Sequence, residues 1–161
     1  YSEPGTGTTF KLYFPPATGV RRSEEQADDA VTDGRGTETV LLVEDEDPLR
    51  EFCARILRTQ GYRVHAAADG TEALEVMMGL DEGPDLLLTD VVMPGITGPE
   101  LAERLLKRYP DLPVMYMSGY TRDSVIKRDT LKGDFVFLQK PFAPADLTRK
   151  VREILNRRKT G

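Results

Sequence analysis

The sequence predicts an α/β domain in which five parallel strands form one sheet with helices on both faces. Three observations lead there. Between residues 40 and 158, five short apolar runs alternate with five stretches that can form helices, the pattern of a parallel sheet closed by right-handed crossovers. The runs at 40–43 and 86–88 are continuously apolar rather than alternating, as strands buried on both faces are. The length of 161 residues with 39% hydrophobic content suits one core plus a small appendage.

Taken in order, residues 9–14 alternate polar and apolar before Pro15-Pro16 and read as a lone strand. Residues 16–38 carry few large apolar side chains and no period, so they read as a solvated linker. The domain proper is expected over 39–159. Its first strand is 40–43. The helix that follows places Leu49, Phe52, Cys53, Ile56 and Leu57 on one stripe, with Asp47 and Pro48 as N-cap and first residue and Gly61 as stop. The segment 62–66 alternates and contains charge, which suits an edge strand. A short helix over 71–79 is expected to turn Ala73, Leu74, Met77 and Met78 inward. Next come a strand at 85–89, a helix at 98–109, a strand at 114–117, a weaker helix at 122–129 and a strand at 135–138. The last helix, 144–158, carries the stripe Leu147, Val151, Ile154 and Leu155.

Charge and composition exclude several function classes. Asp and Glu number 27 against 22 Lys and Arg, which argues against a nucleic-acid binder and against disorder of the whole chain. The first 38 residues hold seven of the acids and four of the bases, so most of the surplus lies outside the domain. No apolar run reaches the length of a membrane span, and the N-terminus has no signal-peptide pattern, so the expected location is the cytoplasm, with no membrane contact by this fragment. The single cysteine, Cys53, excludes an intrachain disulfide and reads as a small core residue. His65, the only histidine, falls in the expected edge strand and reads as structural. A first residue that is Tyr rather than Met suggests a piece of a longer chain.

Ligands of open parallel sheets bind beyond the carboxyl ends of the strands. Glu44 and Asp45 follow the first expected strand, Asp90 the third, Ser118 the fourth and Lys140 the fifth. Each alone has an ordinary reading: a solvated helix start, a turn residue before Met93-Pro94-Gly95, a turn serine, a surface lysine. Their coincidence at one end of one sheet is harder to ascribe to scatter. Three carboxylates facing one crevice call for a cation, and hard oxygen ligands too few for a full cage suit Mg²⁺.

The motifs Val43-Glu44-Asp45-Glu46, Leu88-Thr89-Asp90-Val91-Val92-Met93-Pro94-Gly95, Met117-Ser118-Gly119-Tyr120 and Phe137-Leu138-Gln139-Lys140-Pro141-Phe142 resemble those of the response-regulator receiver domain over about residues 40–158. The resemblance implies a flavodoxin-like sheet of order 2-1-3-4-5 and a phosphoryl group accepted on Asp90 from phosphohistidine. It implies Mg²⁺ bound by Glu44, Asp45, Asp90 and the main-chain carbonyl of Val92, and Lys140 against the phosphoryl oxygens across a cis bond to Pro141. Ser118 and Phe137 would form the switch pair, biasing the surface made by 122–129, 135–138 and 144–158. The first acid is Glu44 rather than the commoner Asp. Two residues beyond Asp90 and Ser118 stand Val92 and Tyr120, neither able to orient a hydrolytic water, so slow self-dephosphorylation is expected.

Residues 2–15 resemble the closing Gly-rich turn and last strand of a histidine-kinase ATP-binding domain, so the parent is expected to be a hybrid sensor histidine kinase, itself a candidate for membrane anchoring. The fragment alone would catalyse only its own phosphorylation and dephosphorylation, and would neither bind ATP nor act as a kinase. Expected partners are a histidine kinase, a histidine phosphotransfer domain or both, with a second copy of the chain a further candidate. Competing functions fit less well. A phosphatase of the haloacid-dehalogenase type wants a second Asp where Val92 stands. A flavodoxin wants a hydroxyl- and amide-rich phosphate loop after its first strand, where Glu44-Asp45-Glu46-Asp47 would repel a flavin phosphate. A pseudo-receiver acting as an interaction scaffold would not require an intact Asp90 and Lys140. No DNA-binding segment follows the last helix, so DNA binding by this chain is not expected.

Overall fold

A computed structural model of the chain describes residues 2–3, 7–8, 36–80, 82–119 and 135–159. The strand expected over 9–14, the helix expected over 122–129, and Tyr120 lie outside the described residues. The chain divides into two compact units, Tyr1–Gly34 and Arg35–Gly161. In the first, β1 (Ser2–Glu3) and β2 (Gly7–Thr8) pair antiparallel, with Ser2 opposite Thr8.

The second unit is a five-stranded sheet of β3 (Thr39–Val43), β4 (Arg63–Ala67), β5 (Leu86–Asp90), β6 (Val114–Ser118) and β7 (Phe135–Gln139). The strands are all parallel in the order β4-β3-β5-β6-β7, which is 2-1-3-4-5 within the unit. The alternating strand β4 is at an edge, and the continuously apolar β3 and β5 are adjacent in the interior.

Period-two alternation divides the core into two layers. Val40, Leu42, Leu86, Leu88, Met115, Met117 and Leu138 face α1 (Asp47–Thr59) and α4 (Pro144–Lys159). Leu41, Val43, Leu87, Val114 and Tyr116 face α2 (Gly70–Met78) and α3 (Gly98–Leu106). The stripe Leu147, Val151, Ile154 and Leu155 is buried as its spacing requires, and Cys53 is fully buried in the same layer. Burial, reinforced by the nearby Glu44 charge, pushes the Cys53 thiol up to about 12.

Local signals explain the helix ends. Gly61 adopts φ 94°, the Gly61 amide donates to Arg58 and the Tyr62 amide to Leu57, and both Leu57 and Tyr62 are buried in one cluster: together a Schellman stop. Asp69 caps α2 by accepting from the Thr71 and Glu72 amides at 2.7 and 2.9 Å, and Thr97 with Glu100 forms a capping box on α3. Asp69→Ala is therefore expected to cost about 1 kcal/mol, seen as a lower denaturation midpoint with unchanged slope.

Three expectations are corrected. Met78 points outward, with 74% of its surface exposed: Ala73 and Met77 define the buried stripe, and Met78 lies about 100° round the helix from Met77. Helix α1 begins one residue early, at Asp47 after Glu46, and Glu46 makes no side-chain cap; the Asp47 carboxylate, expected to cap the helix, is instead held by Arg50. Gly36 and Glu38, assigned to the linker by composition, are built into the second unit. Gly36 donates to Gln60 O at 2.9 Å and packs so closely on Tyr62 that a Cβ would lie 2.1 Å from the ring. Glu38 is buried and accepts from Arg152 at 2.8 Å.

Candidate functional site

The predicted residues converge at the carboxyl end of the sheet because the parallel strands end in register. Val43 is opposite Thr89, Asp90 opposite Met117, and Ser118 opposite Gln139. Glu44 thus follows β3 directly, Asp90 closes β5, Ser118 closes β6, and Lys140 follows β7 with its amide donating to Ser118 O at 2.7 Å. The Lys140-Pro141 peptide is cis.

At the centre, the Lys140 ammonium donates to Glu44 Oε2 at 2.8 Å and to Asp90 Oδ2 at 2.7 Å. The Glu44 side chain is fully buried, whereas Asp90 retains 13% exposure, so Asp90 is the more approachable of the pair. Desolvation pushes the Glu44 carboxyl above its ordinary range, against the opposing pull of the Lys140 hydrogen bond and charge. Burial alone would lower Lys140; hydrogen bonds and charge from Asp90 and Glu44 outweigh it and hold the ammonium above its usual range.

Asp45 is exposed at the rim, and one carboxylate oxygen from each of Glu44, Asp45 and Asp90 lies within 4.8 Å of the others. Three carboxylates against one ammonium leave two negative charges uncompensated, and the fully buried Glu44 is already strained by desolvation. Hard oxygen donors with that residual charge fit a divalent cation of the Mg²⁺ type.

Two residues beyond Asp90, Val92 has a 43% exposed side chain between buried Val91 and Met93, and Gly95 turns the loop at φ 75°. Phe137 is 36% exposed, and its ring stands 5.7 Å from Tyr116. Phe135 meets Tyr116 and Phe137 edge-on at 6.1 and 5.6 Å. The Lys150 ammonium donates to the Phe137 carbonyl, tying α4 to β7.

Sequence reasoning missed the parts that hold the site from behind. Thr89, fully buried, donates its hydroxyl to Asp90 O at 3.0 Å. Gly98 lies against that same carbonyl. Arg50 grips the loop after β3 through Glu44 O at 2.7 Å. Only Arg50 left a legible signal, a cation in the first turn of a helix, where the dipole disfavours it.

Residues 40–152 match the sequence profile described as the response regulator receiver domain. Sensor kinase CckA of Brucella abortus is 40% identical over 163 residues, covering 97% of this chain and 17% of that protein. The chain therefore spans about a sixth of the kinase it matches. Response regulator receiver protein CpdR of Brucella abortus is 34% identical over 72% of this chain and 95% of its own length. Among solved structures, the receiver domain from Hybrid Histidine Kinase CckA superposes with TM-score 0.61 at 39% identity, over 73% of this chain and 98% of that one.

Proposed function

The chain belongs to the response-regulator receiver domain family of two-component signalling, and from that premise we propose that Asp90 accepts a phosphoryl group from a phosphohistidine and switches a partner surface. The observation that carries the proposal is the Lys140 ammonium held 2.8 and 2.7 Å from Glu44 and Asp90 at the strand ends, beside a third carboxylate. An Asp90 oxygen forms the new bond to phosphorus as the phosphorus–nitrogen bond of the donor breaks, and the histidine nitrogen keeps that electron pair. Lys140 swings from carboxylate to phosphoryl oxygen, supplying positive charge where negative charge moves. Glu44, Asp45, Asp90 and the Val92 carbonyl would hold Mg²⁺, which when bound supplies further positive charge to the phosphoryl oxygens.

The new acceptor oxygens attract the Ser118 hydroxyl, and the space it vacates admits the Phe137 ring. Because Lys150 holds the Phe137 carbonyl, displacement there is passed to α4. Partners of this surface are a histidine kinase, a histidine phosphotransfer domain or a second copy of the chain. We read the parent as a hybrid sensor histidine kinase and residues 1–15 as the end of its ATP-binding domain; the kinase match extends over 97% of the chain, well beyond the domain itself. Among the described residues no helix is long and apolar enough to cross a membrane.

Incubation with a small phosphodonor tests the reading. With Mg²⁺, intact mass gains one phosphoryl group; a chelator lowers the rate by at least about a hundredfold, and added Mg²⁺ restores it. A rate indifferent to chelation would refute the metal's role, and no adduct under any condition would favour a scaffold. The exposed Val92 side chain cannot align water for hydrolysis. Val92→Asn is expected to hasten decay of the adduct about tenfold or more; decay no faster than wild type would refute this account.

A further inference from the structure

We infer that Arg50 is a positioning residue for the metal-binding carboxylates, clamping the loop that carries Glu44 and Asp45; the inference rests on the metal-site reading above. Arg50 lies in the first turn of α1, where the positive end of the helix dipole opposes a cation. Its surroundings explain the placement. One guanidinium nitrogen donates to the Glu44 main-chain carbonyl at 2.7 Å and the other to the Asp47 carboxylate, so the planar fork spans the acidic loop from both ends.

Apart from Lys140 on the Glu44 carboxylate and the Arg50 amide donating to Glu46 O at 2.9 Å, the loop's other bonds are long or lacking. Glu46 gives α1 no side-chain cap. The Glu46 amide reaches Glu44 Oε1 only at 3.4 Å, and the Glu44 amide reaches Ala67 O at 3.2 Å. Arg50 is itself ordered by packing: its side chain is 18% exposed against 78% for Asp47. Lysine, a point charge without a planar fork, cannot make both bonds in this geometry. Residues that orient metal ligands without touching the metal typically govern affinity by tenfold or more.

Position and charge predict opposite signs here. A guanidinium close to a cation site repels the cation, so if charge alone mattered, removing Arg50 would tighten Mg²⁺ binding. If the clamp matters, removal frees the loop and loosens binding. The experiment is calorimetric titration of Mg²⁺ into metal-free wild type, Arg50→Met and Arg50→Lys, with the thermal midpoint of each metal-free protein measured alongside. Arg50→Met is expected to weaken Mg²⁺ binding about tenfold, and Arg50→Lys severalfold despite its retained charge.

A lower midpoint with unchanged Mg²⁺ affinity would show a merely structural role and overturn the inference, as would tighter binding by Arg50→Met or full rescue by Arg50→Lys. Should Arg50→Met fail to fold, the loss in Arg50→Lys decides. Wild type that binds no Mg²⁺ would overturn the metal-site reading and this inference together. Wild type that binds, with both variants unchanged, would overturn this inference alone.

Discussion

Asp90→Asn is expected to lose the phosphoryl adduct proposed for this site. The amide keeps the size and shape of the carboxylate but lacks the anionic oxygen that the proposed attack on phosphorus requires, so the rate of adduct formation is expected to fall by on the order of a thousandfold or more. The substitution leaves Lys140 with its second partner, Glu44 at 2.8 Å, and disturbs no buried apolar contact. A cooperative unfolding transition like that of wild type is therefore expected to accompany the loss, which separates lost chemistry from lost fold. Intact mass after incubation with a small phosphodonor and Mg²⁺ is the measurement. An adduct of wild-type extent on Asp90→Asn would move the acceptor elsewhere, with Asp45 and Glu44 the neighbouring candidates.

Gly98→Ala reverses the usual sign of a glycine-to-alanine change. At the first position of a helix the substitution ordinarily stabilises by about 0.4–1 kcal/mol through the unfolded chain. Here a Cβ would stand 2.1 Å from Asp90 O, 3.1 Å from Asp90 C and 3.2 Å from Thr89 Cγ2. The nearest atom is main chain in an interior strand, so no side-chain rotation relieves the clash. Either α3 lifts away, costing its buried contacts through Leu101, Ala102 and Leu105, or the end of β5 shifts and takes Asp90 with it.

The expected loss is about 3 kcal/mol or more, read from the denaturant midpoint, with slower adduct formation in whatever remains folded. Gly79 serves as the control. It ends α2 at φ −88°, and a Cβ there would meet only Val76 O, at an ordinary 3.6 Å. Gly79→Ala is expected to stay within about 0.5 kcal/mol of wild type. A Gly98→Ala protein within that same range would show that α3 is not pressed against the end of β5.

The periodic parts of the chain were legible because burial repeats along them. Continuous apolar runs marked β3 and β5 as interior strands, alternation with a charge placed β4 at an edge, and helical spacing found the buried stripes of α1 and α4. Where a stripe is short the reading slipped: α2 has nine residues, too few to separate Met78, at the stripe's border, from Met77 inside it. Composition likewise could not show that Gly36 and Glu38 belong to the folded unit. Their partners, Tyr62 and Arg152, are remote in sequence, and neither pairing leaves a local pattern.

Which residue types stand at strand ends is written in the sequence, and that sufficed to nominate Glu44, Asp45, Asp90, Ser118 and Lys140. Whether they meet was decided by sheet order and register, which bring Lys140 within hydrogen-bond reach of partners 96 and 50 residues away. The same holds for what supports them. Gly98 against the Asp90 carbonyl, Lys150 on the Phe137 carbonyl and Tyr116 beside Phe137 are contacts between elements. Local periodicity encodes which face of an element is buried; it carries no information about which atoms of another element will lie against that face.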